Sequence, residues 1–198
     1  MDPNRSVEFF DAQFRRQIEA GEFALNPFEQ AALPFVSGRV LDLGCGLGNL
    51  SLAAARRGCE VTAVDASATA IERIRIAATR EKLRVAAVQA GIDGTFATGA
   101  YDTVIAIGLV MFFPCPEAER LLGEIRRGVA PGGRAIVNTL IEGTTWMAPF
   151  EPGRFCLLAE GALERSFAGW RILLARREEF PAPDGKLKRF DTVVAQRS

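Results

Sequence analysis

The chain has 198 residues, 48% of them apolar, and its 24 basic residues balance 24 acidic ones. That length suits one domain with a full core, and zero net charge gives no electrostatic footing for nucleic acid or an anionic membrane as partner. There is no histidine, which removes Ser–His and Cys–His pairs, imidazole metal ligands and an imidazole general base.

The four cysteines, at positions 45, 59, 115 and 156, show no paired spacing, so neither a disulfide framework nor a zinc site is expected, and no metal. The first residues are polar and charged, and no apolar run reaches 18 residues. A cytoplasmic protein is therefore expected.

Along the chain, Phe9, Phe10, Phe14 and Ile18 recur at helical spacing over 7–19. A second short helix opens at Pro27 with Asn26 as its cap. Residues 1–36 read as a helical cap on a single domain spanning 1–198. The strand Val40-Leu41-Asp42-Leu43 then breaks into glycines at 44, 46 and 48. A helix follows over about 48–57, a strand over 60–65, a helix over 67–81 and strands over 84–88 and 102–107. A helix over about 117–129, a Pro-Gly-Gly turn and a strand over 133–140 come next, then a short helix near 155–166. The tail reads as two strands about an Asp184-Gly185 turn. Strands separated by helical runs of this size indicate βαβ units and a parallel sheet.

The glycine stretch carries the chemistry. Without a Cβ the backbone turns sharply and lets a ligand approach, and the next helix presents unpaired N–H groups at its start. A dinucleotide oxidoreductase shows G-x-G-x-x-G, whereas this chain has G-x-G-x-G with Asp42 two residues before the first glycine. The second strand ends in Asp65, where a nucleotide ribose presents its hydroxyls. The alternative for Asp65 is a role at the helix start, with Ser67 the better cap.

These motifs resemble motif I and the acidic second-strand tip of the class I S-adenosylmethionine (SAM) methyltransferases. Val129 to Asn138 is similar to their L-x-P-G-G segment. The run Gly108 to Phe113, the helix-like stretch from Phe155, Gly169-Trp170 and Lys186 to Phe190 are similar to the tellurite-resistance (TehB-like) branch. The chain departs from that branch at Phe180-Pro181, where its members carry a histidine–arginine pair, and over Phe23 to Pro27, where they carry a tyrosine–arginine pair. The resemblance implies a Rossmann-like three-layer α/β sandwich, with a seven-stranded, mostly parallel sheet whose last strand is antiparallel. It implies SAM as cofactor, S-adenosylhomocysteine as product, and a small-molecule acceptor, in a monomer or homodimer.

The cofactor positions are then Asp42, Gly44, Cys45, Gly46, Asp65, Ala66, Ile92, Asp93, Ile107 and Gly108, with Gly91 the alternative to Asp93 at the adenine edge. Met111, Phe112, Trp146, Phe150 and Arg154 are candidates for the acceptor pocket. Tyr101 starts its strand at the amino end, roughly 20 Å from the cofactor edge at about 3.3 Å per residue, so it is not the base. Glu142 and Arg189 are the remaining catalytic candidates, with Asn138 and Thr144 on the same side. Arg154, Arg177 and Arg189 are cations that suit a soft anionic acceptor, a thiol or a tellurite- or selenite-like oxyanion. The competing readings are a nicotinamide-dependent oxidoreductase and a SAM-binding protein without catalysis.

Overall fold

The structure is a computed structural model that describes residues 5–92 and 100–198. Its centre is β1 (Arg39–Leu43), β2 (Glu60–Asp65), β3 (Val85–Gln89), β4 (Tyr101–Ile107), β5 (Val129–Leu140), β6 (Arg171–Ala182) and β7 (Lys186–Gln196). They form one seven-stranded sheet in the order β3-β2-β1-β4-β5-β7-β6. Strands β1 to β5 pair in parallel, and β7 runs antiparallel to both β5 and β6.

The helices are α1 (Arg5–Ala20), α2 (Pro27–Ala32), α3 (Asn49–Arg56), α4 (Ala68–Glu81), α5 (Cys115–Gly128) and α6 (Ala162–Arg165). Strand β4 shows why they divide into two layers. Side chains alternate across a strand, so Ile105 enters the core with Leu52, Ile71 and Ile74 of α3 and α4. Val104 and Ala106 enter the opposite core with Leu121, Leu122 and Ile125 of α5. A strand buried on both faces reads as a continuous apolar run.

Local signals hold at the helix starts. Asn26 and Glu29 form a reciprocal capping box on α2, and Ser67 accepts from the Ala70 N–H at the start of α4. Two expectations need correction. The Pro-Gly-Gly segment is not a turn before a new strand: β5 already pairs Val129 with Tyr101, and the register shifts before Thr103 meets Arg134. The helix expected over 155–166 shrinks to the single turn α6; Leu158 instead makes an isolated parallel bridge with Ile141. Asp191 accepts the Gly161 N–H at 3.2 Å immediately before that turn.

The strand order reverses between β1 and β4. In an open α/β sheet the ligand crevice lies there, outside the carboxyl ends of the strands. The glycine loop leaves β1 at that crevice. No helix among the described residues is long and apolar enough to cross a membrane.

Candidate active site

The loop from Gly44 to Gly48 is held by the end of β2. Gly44 and Cys45 both donate to the Val64 carbonyl, at 2.8 and 3.1 Å. Gly46 donates to Asp65 Oδ2 at 2.9 Å, and Ser67 donates its N–H to Asp65 Oδ1 at 2.8 Å. Asp65 thus joins the loop to the start of α4. The backbone N–H of Ala66 adds to these two, so three N–H groups approach a carboxylate that offers about four lone-pair positions. Burial pushes its pKa up, against the backbone N–H bonds that lower it.

Two glycines are required by their conformation, with side chains packed close against them. Gly44 and Gly46 both have left-handed backbones, φ +64 and +52. A Cβ at Gly44 would lie 2.9 Å from Leu109 Cδ1, and one at Gly46 would lie 3.2 Å from Phe14 Cζ.

Asp42 lies beneath the loop, 4% exposed, and accepts the Ser51 hydroxyl at 2.6 Å. Burial pushes its pKa up to about 7; the Ser51 bond lowers it, and the charges of Glu29 and Asp65 raise it further. Cys45 is buried, and burial with the nearby Asp42 and Asp65 charges pushes its thiol well up, which makes it a packing group. Ala66 is half-buried beside Asp65, Ile107 and Gly108 are half-buried at the end of β4, and the Gly108 N–H donates to the Asn138 carbonyl. Ile92 packs against the α5-side core and Gly91 is exposed. Asp93 lies outside the described residues.

Helix α1 crosses this loop. Its Asp11 accepts the Ser67 hydroxyl at 2.6 Å, and that bond is the main reason its carboxyl sits below the usual range. Phe14 lies on Gly46. From there the rings run on: Phe14 to Phe10 at 6.1 Å, Phe10 edge-on to Phe112 at 5.3 Å, Phe112 stacked on Phe150 at 4.9 Å, then Phe155 at 5.5 Å. Phe9 meets Trp146 edge-on at 6.3 Å. Met111, Leu140 and Phe150 form the buried centre of this cluster. Helical spacing marks an apolar face on α1; that it would cover the glycine loop has no signal in the sequence.

Met111, Phe112, Trp146 and Phe150 are therefore brought together, and Arg154 is not shown among them. Arg154 is exposed and 3.6 Å from Glu151. Arg177 is paired with Asp191 and Glu160, and Arg189 with Glu179 and Glu160. Arg189 also donates to the Glu142 carbonyl, while Glu142 itself is exposed. The three arginines are thus neutralised by carboxylates. Lys188, which sequence patterning did not single out, stands 4.0 Å over the Trp146 ring, and burial lowers its pKa. Tyr101 lies at the amino end of β4 as expected.

The cysteines are a correction. Cys115 at the start of α5 is bonded to Cys156, with Cα atoms 4.8 Å apart across 41 residues of sequence. The Cys156 N–H also donates to the Met111 carbonyl at 3.0 Å. A pair so far apart in sequence has no spacing signature; the chain's return beside Met111 and Ile141 creates it.

Residues 40–133 match the family described as methyltransferase domain. A demethylmenaquinone methyltransferase of Thermus thermophilus is 32% identical over 156 residues, 74% of this chain and 69% of that protein. A ubiquinone biosynthesis O-methyltransferase of Xanthomonas oryzae pv. oryzae is 32% identical over 123 residues, 59% of this chain. The chain spans 51% of that relative's length. Among solved structures, TehB from Haemophilus influenzae superposes with TM-score 0.76 at 19% identity, covering 92% of this chain and 65% of that one. The fold likeness, the match to the loop-bearing segment and the Thermus relative agree: this chain belongs to the class I SAM-dependent methyltransferases.

Proposed function

We propose that this chain transfers the methyl group of SAM to a small organic acceptor, in the crevice over the carboxyl ends of β1, β4 and β5. The observation that carries the reading is the Asp65 carboxylate, which stands at the tip of β2 and holds the Gly46 N–H of the glycine loop, where a ribose hydroxyl would meet it. The loop fits such a cofactor, because its left-handed glycines let the backbone turn sharply beside the tip of β2, with Leu109 and Phe14 packed against Gly44 and Gly46. Gly44 and Gly46 would hold the amino-acid end, with Asp42 ordering the loop, and Asp65 the ribose. Ala66 and Ile92 would flank the adenine, and Ile107 and Gly108 would lie along its edge.

When bound, SAM supplies an activated methyl group on sulfonium, so the protein's contribution is alignment and exclusion of water. The rings of Phe10, Phe112 and Phe150 supply an apolar wall beside the cofactor crevice, and Phe14 and Asp11 close α1 over the loop. This wall favours an acceptor with a flat carbon framework, in keeping with the relatives' names, which include an O-methyltransferase of ubiquinone biosynthesis. The carboxylates around Arg177 and Arg189 leave little to draw in a bare oxyanion.

Calorimetric titration with SAM, S-adenosylhomocysteine and NAD tests the cofactor; binding of NAD in place of the other two would return the chain to the oxidoreductases. Release of S-adenosylhomocysteine across phenols, amines, thiols and oxyanions then tests the transfer. Tight SAM binding with no release in any class would make it a binding protein.

A further inference from the structure

One buried polar atom at the carboxyl end of the sheet is left without a partner. Asn138 of β5 is fully buried; its Nδ2 donates to Thr192 Oγ1 at 2.9 Å, and its Oδ1 has no hydrogen-bond partner. A buried amide oxygen left unpaired costs about 1–3 kcal/mol, and such atoms are uncommon in folded proteins. Among the described residues Asn49, the first residue of α3 beside the glycine loop, carries another, and Arg134 one towards the opposite end of β5.

Strand alternation fixes which way Asn138 faces. Ile136 packs with α3 and α4, and Leu140 belongs to the ring cluster, whereas Val137 packs on the α5 side. Asn138 therefore shares the face of Ile136 and Leu140. Its ladder partners are Ile107 on β4 and Thr192 on β7, and its own carbonyl accepts the Gly108 N–H. The unpaired Oδ1 thus lies on the sheet face between two proposed cofactor neighbours and the apolar wall of Leu140 and Phe190.

We infer that Asn138 is a catalytic residue toward the methyl acceptor, its Oδ1 accepting the O–H or N–H of the atom that becomes methylated. This rests on the methyl-transfer reading above and narrows it to a neutral hydroxyl or amine. The acceptor's lone pair forms the new bond to the methyl carbon as the carbon–sulfur bond breaks, its electron pair remaining on sulfur. The acceptor atom gains positive charge, its proton becomes more acidic, and the hydrogen bond to Oδ1 strengthens in the transition state. The proton then leaves to solvent, since an amide oxygen is too weak a base to keep it. The sulfur of a thiolate and the selenium of selenite, the atoms that would take the methyl, carry no such proton, and a thiolate meets the negative end of the amide dipole.

The test compares wild type with Asn138→Leu, which is similar in volume and removes the amide, using catechol, benzylamine, 2-mercaptoethanol and selenite as acceptors. Wild type should release S-adenosylhomocysteine faster with catechol or benzylamine than with the other two. Asn138→Leu should lower kcat for them about 100-fold, with calorimetric SAM affinity within about twofold and little change in Tm, because the unpaired oxygen leaves together with the Nδ2 bond to Thr192. If that variant does not fold, Asn138→Ser, which keeps an oxygen at shorter reach, should lose about tenfold in kcat with SAM affinity kept. Unchanged kcat, or Tm and SAM affinity falling along with kcat, overturns the inference. So does wild-type transfer only to 2-mercaptoethanol or selenite, or to none of the four. Absence of SAM binding by wild type would instead remove the methyl-transfer reading on which it stands.

Discussion

Asp65 and Gly46 meet through a 2.9 Å hydrogen bond that ties the tip of β2 to the glycine loop. The same carboxylate receives the Ser67 N–H, so one side chain orders both the loop and the start of α4. Asp65→Ala should remove these bonds together with any made to a ribose. Hydrogen bonds to a charged group contribute about 1.5–3 kcal/mol each, and SAM affinity should fall at least about 100-fold. Calorimetric titration checks this; affinity within threefold of wild type would exclude Asp65 from the site.

Phe14 gives a second prediction. Its ring lies where a Cβ on Gly46 would come within 3.2 Å, so α1 rests directly on the loop. Phe14→Ala should raise the rate at which SAM dissociates by about tenfold or more, since most affinity differences among variants lie in dissociation. Stability should fall by about 1–3 kcal/mol, as expected for a half-buried ring. Stopped-flow displacement by S-adenosylhomocysteine reads the first effect and urea unfolding the second. Equal dissociation rates would mean that α1 does not cover the cofactor.

Asp42 should make stability depend on pH. Its folded pKa of about 7 stands above the ordinary 3.8, because burial disfavours the charge. Between these values the folded state binds more protons than the unfolded one. Its favourable contribution is therefore complete below about pH 4 and is lost as pH rises through 7, by at most about 1.4 kcal/mol per pH unit. Asp42→Asn keeps an oxygen for the Ser51 hydroxyl and removes the titration. Urea unfolding at pH 5 and pH 8 should show wild type losing more stability than the variant; parallel losses would mean that Asp42 titrates alike in both states.

What could be read from the sequence follows the range of the forces involved. Val40 and Leu41 of β1 and Val104 to Ala106 of β4 are legible because burial on both faces leaves apolar residues in a row. Asn26 and Ser67 are legible because a cap acts within three residues. The neutralisation of Arg177 and Arg189 depends on cross-strand register, Arg177 with Asp191 and Glu179 with Arg189, which a hairpin turn suggests but does not fix. The seat of α1 on the loop and the Cys115–Cys156 bond depend on the finished fold alone. Pattern could show that Phe10 and Phe14 share an apolar face, but not that Phe112 and Gly46 meet it.

The Cys115–Cys156 bond should be the part of the acceptor wall most sensitive to reductant. It joins the exposed start of α5, just after Met111 and Phe112, to the segment carrying Phe150 and Phe155. Breaking it restores freedom to a loop of about 41 residues in the unfolded chain, worth about 4 kcal/mol by loop-closure entropy. For a chain of this size that corresponds to a fall of roughly 10 °C in Tm. The paired variant Cys115→Ser, Cys156→Ser should show that fall without reductant and no further change when dithiothreitol is added. Cys45 and Cys59 are buried and unbridged, so wild type should lose Tm with dithiothreitol only through this bond. A wild-type Tm indifferent to reductant would mean that the two thiols are not joined in solution. If the bond forms, reduction should also raise KM for the acceptor more than it changes SAM affinity, because it loosens the Phe112–Phe150 stack and leaves the Asp65–Gly46 contact in place.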